Sequence, residues 1–221
     1  MMKIRVVTII FANRISAMEI PYFRGCIIQI AEGNEYFHNH TDNGFSYSYP
    51  LVQYKCLNGH AVIIGINEAG EILESMFAPS DIFSCQWGKR RVNMKVESVS
   101  CEVCDVEISE YPQVYSIESW LPVNQRNYPK YRSIIGLRQR VAMLEKILVG
   151  NILSFAKGLH LFFDTQVECE IMRMAEPEII LYKGVELMSF SVVFCTNISL
   201  PDYIGLGKSA SVNHGIIKQI K

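Results

Sequence analysis

The chain has 221 residues, of which 49% are apolar and 19% charged, with a formal net charge of −1. Such a balance supports a packed core and excludes disorder, and no apolar run reaches the roughly 20 residues that a membrane-crossing helix needs. The net charge does not advertise a polyanion partner, but its distribution is uneven: residues 1–125 hold 9 Lys+Arg against 14 Asp+Glu, and residues 126–221 hold 12 against 8. If nucleic acid binds, the second half is expected to supply much of the phosphate contact. Seven cysteines, an odd number without framework spacing, fit a reducing compartment, and the chain reads as cytoplasmic.

In chain order, Ile4 to Phe11 is β-branched and apolar, as a buried first strand should be; the short Met2–Arg5 cationic start mimics a leader only faintly, because Arg14 follows at once. Ala17 to Ala31 suits a helix with Pro21 in its first turn. A polar loop from Glu32 to Tyr49 carries His38 and His40. Leu51–Leu57 and Ala61–Ile66 flank Asn58-Gly59, a hairpin signal, since both central residues of the tight turn need positive φ. Asn67 caps a second helix running to about Phe77, and two strands follow near 92–109 and 111–121. Lys89-Arg90-Arg91 reads as a solvated turn.

The pattern breaks between Pro122 and Pro129, which we take as the linker between an N-terminal domain (1–125) and a C-terminal domain (126–221). A long helix over about 133–157 follows, with Leu137, Val141, Leu144, Leu148, Ile152 and Phe155 on one face. Strands near 167–174, 178–183 and 185–196 complete the second half. Helix-and-strand order in both halves predicts an α+β fold of two tandem ferredoxin-like (RRM/RAMP-like) domains.

The chemistry is concentrated in His38-Asn39-His40, close to Tyr47-Ser48-Tyr49-Pro50. Two imidazoles that titrate near pH 6.5 can take a proton on one side of a reaction and supply one on the other. That is a means of cutting RNA without a metal. The same spacing also suits half a metal site, with Asp42 a conceivable third ligand, or two surface histidines. Cys101 and Cys104 form a CxxC pair with no second ligand pair at zinc-ribbon spacing. Gly205-Leu206-Gly207-Lys208-Ser209 lacks the first glycine of a Walker A loop, where Asp202 stands, and too little chain follows for a dinucleotide fold. Its glycines, with Lys208 and the hydroxyls of Ser209 and Ser211, suit either an RNA backbone or a tight strand connection.

Tyr47 to Lys55, then Ile64-Gly65-Ile66-Asn67-Glu68-Ala69, resemble the N-terminal half of CRISPR repeat-processing endoribonucleases of the Cas six family, in the branch usually lettered b. Phe194-Cys195-Thr196-Asn197, Leu200 to Lys208 and Gly215 resemble that family's C-terminal glycine-rich loop, and Trp120–Tyr128 and Gly150–Gly158 are in keeping with it. The chain departs from the usual Gly-aromatic-Gly triplet at Asn213-His214-Gly215. The resemblance implies metal-independent cleavage of CRISPR repeat RNA, leaving 2′,3′-cyclic phosphate and 5′-hydroxyl ends, without any cofactor. It assigns catalysis to His38, His40 and Tyr47.

Around these residues, Lys55 is expected either to offset charge in the transition state or to be a solvent-facing strand residue; Arg24 is a further cation near the site. Candidate RNA contacts are Arg126, Lys130, Arg132, Arg138, Arg140, Gly205, Gly207, Lys208, Ser209 and His214. Besides the RNA, a CRISPR effector complex and a second copy of the chain are candidate partners, and a membrane is not. The rival readings are a non-catalytic RNA-binding module of the same fold and a metal-dependent hydrolase built on the two histidines.

Overall fold

A computed structural model describes residues 2–31, 34–37, 40–41, 44–45 and 49–220. The compact units it contains are Lys3–Cys104 with Ser211–Asn213, and Asp105–Ala210 with His214–Lys221 and the first two residues. The division falls at Asp105, whereas the sequence reading places it at 125/126. The physical reason is strand pairing: Ile108–Trp120 hydrogen-bonds to Val185–Ile198 and Ile216–Gln219, so it belongs to the second sheet despite preceding the Pro-bounded turn.

The N-terminal unit runs β1 (Met2–Arg14), α1 (Ile20–Ile30), the short pair β2 (His40–Thr41) and β3 (Gly44–Phe45), β4 (Val52–Leu57), β5 (His60–Ile66), α2 (Glu68–Met76), β6 (Ile82–Trp87) and β7 (Arg90–Val106). Its sheet order is β4-β5-β1-β7-β6. Without β6 this is the βαββαβ arrangement of a ferredoxin-like fold. Pro21 sits in the first turn of α1, where its missing N–H costs nothing. Asn58 and Gly59 both have positive φ (51° and 78°), as the β4–β5 hairpin requires. The core lies between α1 and the sheet, where Phe11 meets Phe23, Phe77 and Phe83 edge-to-face. The β6–β7 hairpin escapes sequence reading, and the basic run Lys89-Arg90-Arg91 forms its exposed tip, as expected of a solvated turn.

Cys26 on α1 and Cys85 on β6 are joined by a disulfide, which qualifies the reading of these cysteines as those of a reducing compartment. Their sequence separation of 59 residues carries no local signal.

The C-terminal unit runs β8 (Ile108–Trp120), α3 (Tyr128–Ser133), α4 (Leu137–Gly158), β9 (Cys169–Met174), β10 (Glu178–Tyr182), β11 (Val185–Ile198) and β12 (Ile216–Gln219). Its sheet order is β10-β11-β8-β12, with β9 also on β11. This is the same order again, with the second strand split into β9 and β10 and no helix before the last strand. Leu144, Leu148, Ile152 and Phe155 of α4 are buried, matching the apolar stripe read from the sequence; Leu137 is exposed and Val141 half-buried. The helix expected over about 133–157 is α4, which begins four residues later; the short helix α3 before it and the strand β12 escape the pattern.

Drawn by these compact units, net charge is almost even. Residues 3–104 and 211–213 hold 9 basic against 10 acidic side chains, and the rest of the chain holds 12 against 12. The expected asymmetry therefore depends on where β8 and its flanks are assigned. What survives is local: α3 and α4 carry six cations, Lys130, Arg132, Arg138, Arg140, Lys146 and Lys157, against Glu145 alone.

Candidate nucleic-acid interface

Three side chains of the expected catalytic set fall outside the described part of the structure. His38 and Tyr47 lie outside the described residues, and of His40 only the backbone is described, in β2, paired with Phe45 of β3. Asp42, the conceivable third metal ligand, is outside as well. Among the described residues no cluster of three or more His, Cys, Asp or Glu could hold a metal, and Cys101 instead accepts a hydrogen bond from Arg5 Nε at 3.0 Å.

The strand that follows the histidine segment is described in full. Val52 to Lys55 of β4 are all buried, on both faces of the strand. Lys55 is fully buried, which overturns its reading as a solvent-facing strand residue. Burial away from water disfavours the ammonium and lowers its pKa from 10.5 to about 7. The alternating pattern could not foretell this, because a strand covered on both faces gives its polar residues no wet side.

The outer edge of β4 is occupied by the segment Ser211–Asn213. Tyr54 N–H donates to the Ser211 carbonyl at 2.8 Å, and Cys56 N–H donates to Asn213 Oδ1 at 2.7 Å. The backbone on either side of Lys55 is thus fixed by residues more than 150 positions away in sequence. Ser211 is itself buried, so it does not present a hydroxyl to solvent as expected.

Arg24 on α1 is half-buried, with its guanidinium beside the Tyr54 hydroxyl. Burial pushes that phenol's pKa up, and the Arg24 charge pulls it back. Distance and angle close no hydrogen bond on the Tyr54 hydroxyl among the described residues, so we assign the pull to charge at close range. Tyr49 is also buried and its pKa is raised for the same reason; its hydroxyl accepts from Gln53 Nε2 at 2.8 Å. Neither the Arg24–Tyr54 approach nor the Tyr49–Gln53 bond has a sequence signal beyond the apolar setting of β4.

In the C-terminal unit the glycine segment takes the place of the missing helix. Gly207 has φ +84°, and a Cβ there would lie 2.6 Å from Asn151 Oδ1, the atom that accepts from Trp120 Nε1 at 2.9 Å. Gly215 has φ +63°, and its Cβ would overlap the Leu206 carbonyl. Both positions therefore require glycine sterically as well as conformationally. Gly205 is buried and bridges Ile216, while Lys208 stands exposed. Ser209, at φ 62°, donates its hydroxyl to Tyr182 at 2.9 Å. His214 is half-buried; its Nδ1 lies 3.2 Å from the Ser119 carbonyl and its ring is edge-on to Tyr182 at 5.2 Å. The Asn213-His214-Gly215 triplet thus keeps an aromatic contact through the imidazole.

The remaining cations divide by what they do. Arg126, Lys130, Arg132 and Arg138 are exposed. Arg132 lies over the Tyr128 ring at 6.0 Å. Arg140 is half-buried: its Nε donates to the Ile134 carbonyl at 2.7 Å and its guanidinium covers the Tyr131 ring at 5.5 Å. Those contacts tie Arg140 to the α3–α4 turn.

Family models for the Cas6b N-terminal domain and the Cas6b C-terminal domain match residues 2–104 and 107–220. The chain belongs to the Cas6b family. Their border coincides with the division of the structure near Asp105. An uncharacterised protein of Methanocaldococcus jannaschii is 30% identical over 105 residues, covering 48% of this chain and 70% of that one. A crystal structure of Cas6b is similar over 99% of this chain and 100% of its own, with a TM-score of 0.87 and 23% identity. A second, described as a CRISPR RNA processing endoribonuclease Cas6b, is similar over the same shares, with a TM-score of 0.75 and 20% identity. A type IV CRISPR-Cas Cas6 crRNA endonuclease, Csf5, has the fold at a TM-score of 0.57. These likenesses carry the assignment of an α+β fold with two tandem ferredoxin-like domains. No helix among the described residues is long and apolar enough to cross a membrane.

Proposed function

We propose that this Cas6b-family chain is an endoribonuclease that cuts CRISPR repeat RNA without a metal. The observation that carries the reading is that family models match both halves of the chain, in order. One of the two imidazoles, His38 or His40, removes the proton from a ribose 2′-OH, and that oxygen attacks the adjacent phosphorus. The other donates a proton to the departing 5′-oxygen as the P–O5′ bond breaks. The products are a 2′,3′-cyclic phosphate and a 5′-hydroxyl. Tyr47 orients the 2′-OH or holds a phosphoryl oxygen. Lys55, buried and with its pKa brought to about 7, can carry its charge or release it near neutrality, which supports a part for it in offsetting the dianionic transition state. The exposed cations Arg126, Lys130, Arg132, Arg138 and Lys208 hold the RNA, and the product passes to a CRISPR effector complex.

The test is incubation with CRISPR repeat RNA in excess EDTA, beside the same RNA carrying a 2′-deoxy sugar just before the cut. Cleavage of the first and survival of the second are expected. Intact RNA in both would overturn the metal-independent nuclease reading, and cleavage of both would overturn the 2′-OH mechanism.

A further inference from the structure

The helix α4 has a second face that the core does not use. Gln139, Ala142, Met143, Lys146 and Ile147 recur at steps of three, one, three and one, so they form one stripe, beside the Leu144, Leu148 and Ile152 stripe that is buried. Together with Lys130 and Ile134 from α3 and its end, this stripe encloses a cleft of about 510 Å³. That volume lies inside the roughly 300–1,000 Å³ of ligand-binding clefts. Its floor is aliphatic: Ile134, Met143 and Ile147, all half-buried. Its polar groups are the ammonium groups of Lys130 and Lys146 and the amide of Gln139, on exposed residues, and the half-buried amide of Asn127, which donates to the Pro122 carbonyl and accepts from Asn124 N–H.

We infer that this cleft takes one unpaired nucleotide of the bound RNA, a specificity site apart from the histidines. The inference rests on the RNA-cutting reading above. An unpaired base has flat apolar faces for the aliphatic floor and a polar edge for the Gln139 amide, while its flanking phosphates meet Lys130 and Lys146. The surrounding charge suits a polyanion that continues past the cleft. Arg132 and Arg138 extend the cationic surface; of the nearby acids, Glu145 is engaged by the Ile171 N–H at 2.9 Å and Glu176 lies near Tyr131. Ile135 and Leu137 stand exposed in the turn between the helices, 95% and 67%, a feature that an acidic protein segment would also use. The experiment separates that occupant from RNA.

Dye-labelled CRISPR repeat RNA with a 2′-deoxy sugar at the cut is titrated by anisotropy at several salt concentrations against the full chain. The variants are Ala142→Trp, which fills the cleft from an exposed helical position, the double charge reversal Lys130→Glu/Lys146→Glu, and Lys157→Glu as a single reversal at the other end of α4, with effects compared per reversed charge. A copy of the RNA with 4-thiouridine at unpaired positions is photocrosslinked and the adducts are mapped by mass spectrometry. Thermal melting confirms that each variant folds. Ala142→Trp is expected to weaken binding about tenfold or more, and adducts are expected between residues 134 and 147. The double reversal should also flatten the log–log salt slope by roughly 1.4, at 0.7 for each of two phosphate contacts on a single strand, and Lys157→Glu should flatten it less. Affinity within twofold of the parent for both cleft variants, with adducts elsewhere, overturns the inference and leaves the cleft to a protein partner. Cleavage of unmodified RNA by the parent alongside that result leaves the nuclease reading standing. Cleft-dependent binding without cleavage supports the cleft and defeats the nuclease. A parent that binds no repeat RNA overturns both.

Discussion

In the N-terminal unit the connection from β5 passes through helix α2, and β6 and β7 follow before the sheet is complete. In the C-terminal unit the step from β11 to β12 is made by the segment 199–215, which contains no helix. The order of paired strands is otherwise the same. A helix spends most of its backbone N–H groups on its own carbonyls, four residues back. The loop instead turns through positive φ at Tyr203, Gly207, Ser209, Asn213 and Gly215. It closes on itself through Leu206 N–H to the Gly215 carbonyl, and on other elements through Gly215 N–H to Ser119 and Tyr203 N–H to Ile217. The same fold can thus exchange a self-sufficient element for one whose shape depends on glycine and on its neighbours. The glycines serve that packing, since a Cβ at Gly205, Gly207 or Gly215 would meet other atoms of the same unit.

The proposed function puts chemistry in the first unit and RNA holding chiefly in the second, and the largest expected effect lies there. His38→Ala and His40→Ala should each lower the single-turnover cleavage rate by about 10²–10⁴-fold while anisotropy gives RNA affinity close to that of the parent. Equal losses of rate and affinity would erase the distinction between the units.

Lys55 tests the cost of a buried cation in the first unit. Unfolded, it keeps its proton to about 10.5; folded, it releases it near 7. Between those values the unfolded chain binds a proton that the native one lacks, so this group makes stability rise with pH by up to about 1.4 kcal/mol per unit. Below pH 7 the penalty is constant and complete. Chemical denaturation should therefore find Lys55→Met more stable than the parent at pH 6–7, with the advantage shrinking as the pH climbs toward 10.5. A gain independent of pH would mean that the folded side chain holds its proton as tightly as the unfolded one, so that burial does not lower its pKa.

The disulfide gives the first unit a constraint that the second lacks among the described residues. Closing a loop with a separation of 59 residues is worth about 4 kcal/mol by chain-entropy reasoning. Cys26→Ser or a reductant should lower the melting temperature accordingly, and a transition unmoved by reductant would count against the bridge. In the second unit, Gly207→Ala should cost about 1–3 kcal/mol, through strain at positive φ and the displaced Trp120–Asn151 hydrogen bond. Denaturant melts of the two variants would show whether the helix-closed and loop-closed units unfold together or apart.

Much of the fold was readable because it follows from local rules. The hairpin at Asn58-Gly59, the helix ended by Asn67 and Phe77, and the α4 stripe each announce themselves within a few residues. The Asn67 side chain does depart from the expected cap, since its Oδ1 accepts from Arg5 N–H instead of the helix. What escaped is non-local. Assignment of β8 to the second sheet, the Cys26–Cys85 bridge and the burial of Lys55 all depend on partners distant in sequence. The glycine loop was recognisable as a motif, yet its side-chain partners were not: Ser209 is committed to Tyr182 and Ser211 is buried.

The three-residue return of Ser211–Asn213 to β4 bears on how the molecule is born. On a ribosome, domains commonly settle in the order in which they emerge. Here the margin of the first sheet stays ragged until a segment 157 positions further on has been polymerised, because Tyr54 and Cys56 await Ser211 and Asn213. The nascent N-terminal unit must therefore wait, incompletely zipped, until the strands of the C-terminal unit up to β11 have been made.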